Sequence, residues 1–383
     1  MKNYCPDLFS GMFIEKIDEN NIHLAHCCVS KKSSPTDVID INHPDLQKSR
    51  QFFLDTGELP DDCSYCKNAE KNGGTSSRFV RHAILAEKKE FPIKIQLKKL
   101  DYNCDNICNL KCIMCGGGYS SAWREDEVKL GLRETAAIKK TKRNDLFKNV
   151  DVSHLQNLYF NGGEPLMTRD HINVLNYVIK NGDPSAIGLM YSTNGTFPLT
   201  EEILNLWDKF HSIKLLVSID GTGPVFEYVR HPAKWDLVEK NLLDFKKLTS
   251  DKFDVSISAA VGVHNILYYD ELYNWCVDHG YGNIVVQNVV GRLSTLNFPL
   301  EHKDHLLNYL NKLPESHSKN TLVSLANSIK SPSLAWVDYL NKLDNIRNNN
   351  WKVDLKKLYD LDPVKFDNTS KNVSWYELIK DED

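Results

Sequence analysis

Short apolar runs alternating with helical-period stretches dominate the middle of the chain. From about residue 92, Ile93–Leu97, Leu155–Phe160, Gly188–Ser192, Lys214–Ile219, Val255–Val261 and Asn283–Val290 read as strands. Between them His171–Lys180, Glu201–Phe210, Asp236–Leu248 and Tyr269–His279 carry apolar residues at helical spacing. Strands separated by crossover helices predict parallel pairing and the α/β class. The strands are mostly apolar runs rather than alternations, which suits a parallel sheet covered by helices. Periodicity alone does not separate an open sheet from a barrel. The flanks differ. Residues 1–90 have weak periodicity, with a helix around Leu46–Phe53 and a turn at Gly73-Gly74. Residues 296–383 are polar and helical, broken at Pro314, Pro332 and Pro363. There Ala335–Arg347 places Trp336, Tyr339, Leu340 and Leu343 at the spacing of a helix packed on a core. The chain divides into regions 1–90, 91–295 and 296–383.

Charge and cysteine placement sharpen this picture. Lys and Arg number 47 against 51 Asp and Glu in 383 residues, a net charge of −4, so no global field draws in DNA or an anionic membrane. No apolar run is long enough to span a bilayer, and the start, Met-Lys-Asn-Tyr-Cys-Pro-Asp, lacks an apolar signal segment. A cytoplasmic protein without membrane contact is expected. Nine of the ten cysteines precede residue 116. Such clustering in a cytosolic chain points to metal ligands before disulfides.

The most informative stretch is Cys104-Asp-Asn-Ile-Cys108-Asn-Leu-Lys-Cys112-Ile-Met-Cys115. The spacing of Cys108, Cys112 and Cys115 lets one loop wrap a cluster with three thiolates, leaving one iron without a protein ligand. Thiolate-rich sites suit iron–sulfur clusters and zinc alike, and Cys104 would supply zinc's fourth ligand. Asn161-Gly162-Gly163-Glu164-Pro165, Ser192-Thr193-Asn194-Gly195 and Ser218-Ile219-Asp220-Gly221 each end a strand, where α/β folds place ligand sites.

Over roughly residues 92–291 these motifs resemble the radical S-adenosylmethionine (SAM) superfamily. The resemblance implies a partial (β/α)6 TIM-like barrel and a [4Fe–4S] cluster on Cys108, Cys112 and Cys115. The open iron would take the amino and carboxylate groups of SAM. Met114 would contact adenine, Gly162, Gly163 and Glu164 would hold the SAM amino group, and Ser192 and Asn194 would face the ribose. Ser218 and Asp220 would face either the ribose or the substrate. The chemistry implied is reductive cleavage of SAM to a 5′-deoxyadenosyl radical that takes hydrogen from an unactivated carbon, a step left to the cofactor. An electron donor such as flavodoxin or ferredoxin is implied with it.

The N-terminal cysteines look like the auxiliary-cluster module (SPASM or the shorter twitch) of the same superfamily, placed before the barrel instead of after it. Cys5, Cys28, Cys63 and Cys66 are the ligands this implies for a second [4Fe–4S] cluster, with Cys27 the alternative to Cys28. A structural zinc site is the competing assignment. Glu70, Ser76 and Arg78, the run Ser120-Ser121-Ala122-Trp123, and Leu343-Asp344 with Arg347 are similar to twitch-containing proteins. The implied activity is modification of a ribosomally made peptide by crosslinking, oxidation or epimerisation, with a separate recognition protein as a partner. Two rivals stand beside it: radical modification of a nucleoside, tRNA or small metabolite, and a non-catalytic zinc-binding interaction protein. Lys139–Arg143 is a short basic run that a nucleic acid could use. Cys104 and Cys276 read as core thiols or, less simply, hydrogen-atom donors. Arg230 is placed to clamp a carboxylate or to brace the site's rim.

Overall fold

A computed structural model describes residues 4–16, 21–71, 76, 78–79, 93–103, 105–136, 146–147, 149–282 and 284–369. Cys104, Gly73-Gly74, Lys139–Arg143 and the C-terminal tail lie outside the described residues. Among the described residues there are eight strands, with helices between all but the first two: β1 Gly11–Lys16, β2 Ile22–Ala25, β3 Lys99–Asn103, β4 Asn157–Asn161, β5 Gly188–Thr193, β6 Ser212–Ser218, β7 Phe253–Val261 and β8 Val285–Asn288. They form one sheet in the order β2-β1-β3-β4-β5-β6-β7-β8. The α/β class expected from the pattern is therefore present, and residues 303–369 are mostly helical.

Two expectations need correcting. The N-terminal region supplies two strands that its weak periodicity did not announce. β1 pairs antiparallel with β2 and parallel with β3. The strand expected at Ile93–Leu97 lies instead at β3. Residues 93–98 are outside the ladder, with Gln96 N and Lys98 N donating to Phe9 O and Ser10 O at 3.1 and 3.0 Å. β3 reads as Lys-Leu-Asp-Tyr-Asn, and its polarity is hidden by pairing: buried Asp101 accepts from Lys99 Nζ at 2.7 Å.

The chain forms two compact units. The first comprises residues 1–105, 139–191 and 199–214. Its parallel pairs β3·β4 and β4·β5 bury a stack in which Phe160 lies 4.7 Å from Tyr191 and Tyr191 lies 4.8 Å from Trp207. The helix Asp170–Asn181 adds His171, whose Nδ1 is 3.1 Å from the Tyr191 hydroxyl. The second unit comprises 106–138, 192–198 and 215–383. Its β7·β8 pair is parallel, and helices Trp235–Lys247 and Tyr269–Asp278 bury Leu242, Phe245 and Leu272. Cys276 is a core residue of the latter helix, beside Tyr269 and Tyr281, and burial pushes its thiol up to about 12. Among the described residues no helix is long and apolar enough to cross a membrane.

Two buried histidines make the fold acid-sensitive. Burial alone lowers His264 to about 3, and burial with the charge of Arg169 lowers His171 to about 4. Below the ordinary value of about 6.5 the unfolded chain binds protons that these native imidazoles refuse, so stability rises with pH across this window. Taking the pH from about 6.5 to about 4 should cost roughly 3 kcal/mol for each group. His264→Met should flatten the dependence of Tm on pH across the same window in calorimetry. An unchanged slope would mean that His264 is protonated in the native state.

Candidate functional site: two thiol clusters

The Cys108–Cys115 loop belongs to the second unit and follows β3 in sequence. Its main chain is pinned to the end of the helix Gly223–Val229 and the turn after it: Lys111 N donates to His231 O at 2.6 Å and Ile113 N to Val229 O at 2.9 Å. Side chains hold its carbonyls. Ser120 Oγ donates to Leu110 O at 2.5 Å, Trp123 Nε1 to Cys112 O at 2.8 Å and the Tyr339 hydroxyl to Ile113 O at 2.5 Å. The last comes from the C-terminal helix Ala335–Arg347. The same helix sends Arg347 over the Trp123 ring at 4.6 Å and into an ion pair with Asp126 at 2.7 Å. Asp126 is inaccessible and also takes Lys111 Nζ at 3.1 Å. The Ser-Ser-Ala-Trp run and Arg347 thus act together, fixing the carbonyls of the cysteine loop from outside.

The three thiols sit close enough to act on one another's charge. Burial pushes Cys112 up to about 11 and Cys115 up to about 12, with the neighbouring thiols adding to the rise. Hydrogen-bond donors face the sulfurs. Leu110 N lies 3.4 Å from Cys108 Sγ, Asn194 Nδ2 lies 3.8 Å from it, and Arg230 Nη1 lies 3.9 Å from Cys112 Sγ. Asn194 is oriented by Asn109 and Thr196: it donates to Asn109 Oδ1 at 2.9 Å and accepts from Thr196 Oγ1 at 2.6 Å. Neither Asn109 nor Thr196 stood out in the sequence, since each is a common residue without a motif of its own.

Arg230 and Asp220 form a buried ion pair, Nε to Oδ2 at 2.8 Å. Burial opposes the Arg230 charge, but Asp220 and the Cys112 thiol outweigh it and raise its pKa. Asp220 Oδ1 also accepts from Ala260 N at 2.7 Å, and its main-chain carbonyl accepts from Asn265 Nδ2 at 2.8 Å. The Asp220 carboxylate therefore holds Arg230 beside Cys112, a role its sequence position alone did not reveal. Met114 is half-buried in the loop, Ser192 is half-buried in β5, and Ser218 is half-buried at the end of β6.

Gly162, Gly163 and Glu164 follow β4 in the first unit. Gly162 adopts φ +114° and packs so tightly that a Cβ would lie 2.3 Å from Asn103 Oδ1 and 2.6 Å from Asp105 O. Only glycine fits both the dihedral and the space. Gly163 N donates to Asp105 O at 2.7 Å. Buried Glu164 accepts from Leu166 N at 3.0 Å, capping the short turn Pro165–Met167.

The second cluster lies wholly in the first unit. Cys5, Cys27, Cys28, Cys63 and Cys66 line one cavity with Asp7, Val29, Ser30 and Arg78. Cys5 precedes the turn Asp7–Ser10, the adjacent pair follows β2, and Cys63 and Cys66 lie where the turn Asp61–Cys63 runs into the helix Ser64–Lys71. Apolar packing by Tyr4, Leu8, Phe9, Phe53 and Leu59 holds Cys5 and Cys63 in place. Cys5, Cys63 and Cys66 are buried, Cys27 is half-buried and Cys28 is exposed. Burial and the neighbouring Cys27 and Cys66 push Cys63 up to about 12. Arg78 is held by Glu70, with Nε to Oε1 at 3.0 Å, and donates Nη1 to Tyr4 O at 3.1 Å; Ser76 donates to Glu70 at 2.5 Å. The Glu70, Ser76 and Arg78 positions are thus one polar network at the wall of this cavity.

Fold and site define an α/β protein with two separate thiol clusters, each built within one compact unit. No family model matches the chain, and no curated protein matches it. Among solved structures it is similar to histidine-tagged anSMEcpe with bound AdoMet, at 18% identity and a TM-score of 0.40, over 55% of this chain and 56% of that one. It is also similar to Streptococcus suis SuiB bound to S-adenosylmethionine, at 14% identity and a TM-score of 0.36, over 81% and 68% of the two chains. SuiB bound to the precursor peptide SuiA matches at 14% identity and a TM-score of 0.35, over 98% and 78%. The chain spans little more than half the length of the first of these.

Proposed function

We propose that this protein is a radical SAM enzyme that modifies a peptide. One observation carries the reading: three thiols converge from the single loop Cys108–Cys115, with an amide and a guanidinium directed at their sulfurs. The donor set suits a [4Fe–4S] cluster, because three soft thiolates from one loop leave a corner of the cluster for another ligand. With SAM, the chemistry supplied is one-electron cleavage to a 5′-deoxyadenosyl radical that abstracts hydrogen from an unactivated carbon. The protein's own residues bind and orient. Asn194 and Arg230 would hydrogen-bond the sulfurs of Cys108 and Cys112 and offset their negative charge. Gly162 and Gly163 would bring main chain close to the SAM amino group, with Glu164 as its anionic partner. Met114, Ser192 and Ser218 would contact the adenosyl part. Asp220 would act through Arg230.

The N-terminal cavity would hold a second [4Fe–4S] cluster on Cys5, Cys63, Cys66 and one of Cys27 and Cys28. Burial favours Cys27, which is also the thiol that acts most strongly on Cys63. This second cluster supports peptide modification through the resemblance of its module to SPASM and twitch enzymes. Reduction would come from a protein donor such as flavodoxin or ferredoxin.

The test is iron, acid-labile sulfide and zinc per chain after anaerobic preparation. The expected result is about eight irons with matching sulfide, two [4Fe–4S] clusters. About four irons with one zinc would keep the radical enzyme and make the N-terminal site structural. Zinc without reconstitutable iron would overturn the reading in favour of a zinc-binding interaction protein.

A further inference from the structure

β8 ends the strand order, and its outer edge has an unusual character. It pairs in parallel with β7, with Ser258 opposite Val285 and Val261 opposite Asn288. Just beyond, Val289 N donates to Val261 O at 3.0 Å. Because backbone groups alternate sides along a strand, Val285, Gln287 and Val289 direct their N–H and C=O groups toward β7. Ile284, Val286 and Asn288 direct theirs away. The Ile284 carbonyl fits this parity: it accepts from Ser318 Oγ, on the helix His317–Asn327, at 2.6 Å. Among the described residues no backbone partner meets the outward groups of Val286 and Asn288.

Natural sheets guard such edges with charge, proline or a bulge. Here Ile284–Val290 reads Ile-Val-Val-Gln-Asn-Val-Val, with no charged residue and no proline. Val285 is 37% exposed and Val290 78% exposed. Two residues with outward donors and acceptors, one repeat apart, are complementary to one kind of ligand: the main chain of an extended polypeptide.

We propose that β8 is a docking strand for the peptide substrate, which adds to the sheet through the backbone groups of Val286 and Asn288. This rests on the peptide reading above and deepens it by placing the substrate. Affinity would come from the main chain, and the exposed Val285 and Val290 side chains would favour apolar, uncharged substrate residues near them.

The experiment has two arms, both on the full-length loaded enzyme. In the first, residue-resolved amide exchange of the free enzyme should show Val286 and Asn288 exchanging rapidly while Gln287 and Val289 are protected. Protection of all four would mean that the edge is already covered, by this chain or by a second copy, and would overturn the proposal. In the second, a displayed library of random twelve-residue peptides is selected on the enzyme. Val286→Pro removes one outward N–H from an edge position that tolerates proline, and should weaken enriched peptides about five- to tenfold. N-methylation of alternate residues in an enriched peptide should do the same with the protein unaltered, so a folding defect in the variant cannot mimic the result. Enriched peptides that bind unchanged in both comparisons would refute the edge and leave the peptide reading standing. Failure to enrich any peptide, with SAM cleavage stimulated instead by a nucleoside or RNA, would refute both.

Discussion

Cys112→Ser should remove about four irons per chain and abolish formation of 5′-deoxyadenosine, while leaving about four irons in place. Cys63→Ser should remove the other set and spare the first. The argument is spatial. Each cluster of thiols is assembled inside one compact unit: Cys5, Cys27, Cys28, Cys63 and Cys66 in the first, Cys108, Cys112 and Cys115 in the second. A serine hydroxyl nearly keeps the volume but loses the soft ligand that iron–sulfur clusters require. Iron analysis and the electron paramagnetic resonance of the reduced protein read out the two losses separately. Full iron retention in Cys112→Ser would show that the loop does not hold a cluster.

The second large effect concerns stability. Arg347→Met should destabilise the protein by about 3 kcal/mol, because it strands a carboxylate in the interior. Asp126 is fully buried, and only Lys111 at 3.1 Å, which it shares with Glu125, would remain to offset part of its charge. The double variant Arg347→Met with Asp126→Asn should recover part of the loss, since the uncompensated charge is gone. Denaturant midpoints at constant slope give the comparison. If the single and double variants were equally destabilised, the loss would come from the Arg347 guanidinium stacked over Trp123 rather than from its ion pair with Asp126. Iron retention should fall in the single variant too, because Trp123 and Tyr339 hold the carbonyls of Cys112 and Ile113.

Much of this architecture was legible from apolar runs and polar punctuation. β4 to β8 fall within a few residues of the runs that announced them, because these strands combine β-branched and aromatic residues with helices on either side in sequence. β1 and β2 were not legible. β2 has only four residues, and the parallel partner of β1, the strand β3, lies some ninety residues further on, where no local pattern could reveal it. β3 was displaced by the neighbouring segment Ile93–Leu97, whose apolar residues outweigh a strand carrying Lys99 and Asp101; the charge pair that makes those two tolerable in the interior belongs to the tertiary structure. At the site, cysteine spacing and the glycine pair were visible because their chemistry depends on residue type. The groups that orient them were not. Asn109, Thr196 and Tyr339 matter through where the chain brings them, and Asp220 acquires its meaning from Arg230.

The pairing of β1 with β3 also governs the order in which a growing chain can complete itself. Gly11–Glu15 cannot find Lys99–Asn103 until that strand has left the ribosome. By then the thiols that line the N-terminal cavity have been synthesised and have waited without the strand that anchors their unit. Long-range parallel pairing of this kind is slow to form. Metal delivery before release of β3 would therefore meet an unfinished cavity, and oxidation of the waiting thiols would compete with it. Expression under low oxygen should therefore raise the fraction of chains that mature correctly, and a fragment beginning at residue 91 would expose β3 as a bare edge.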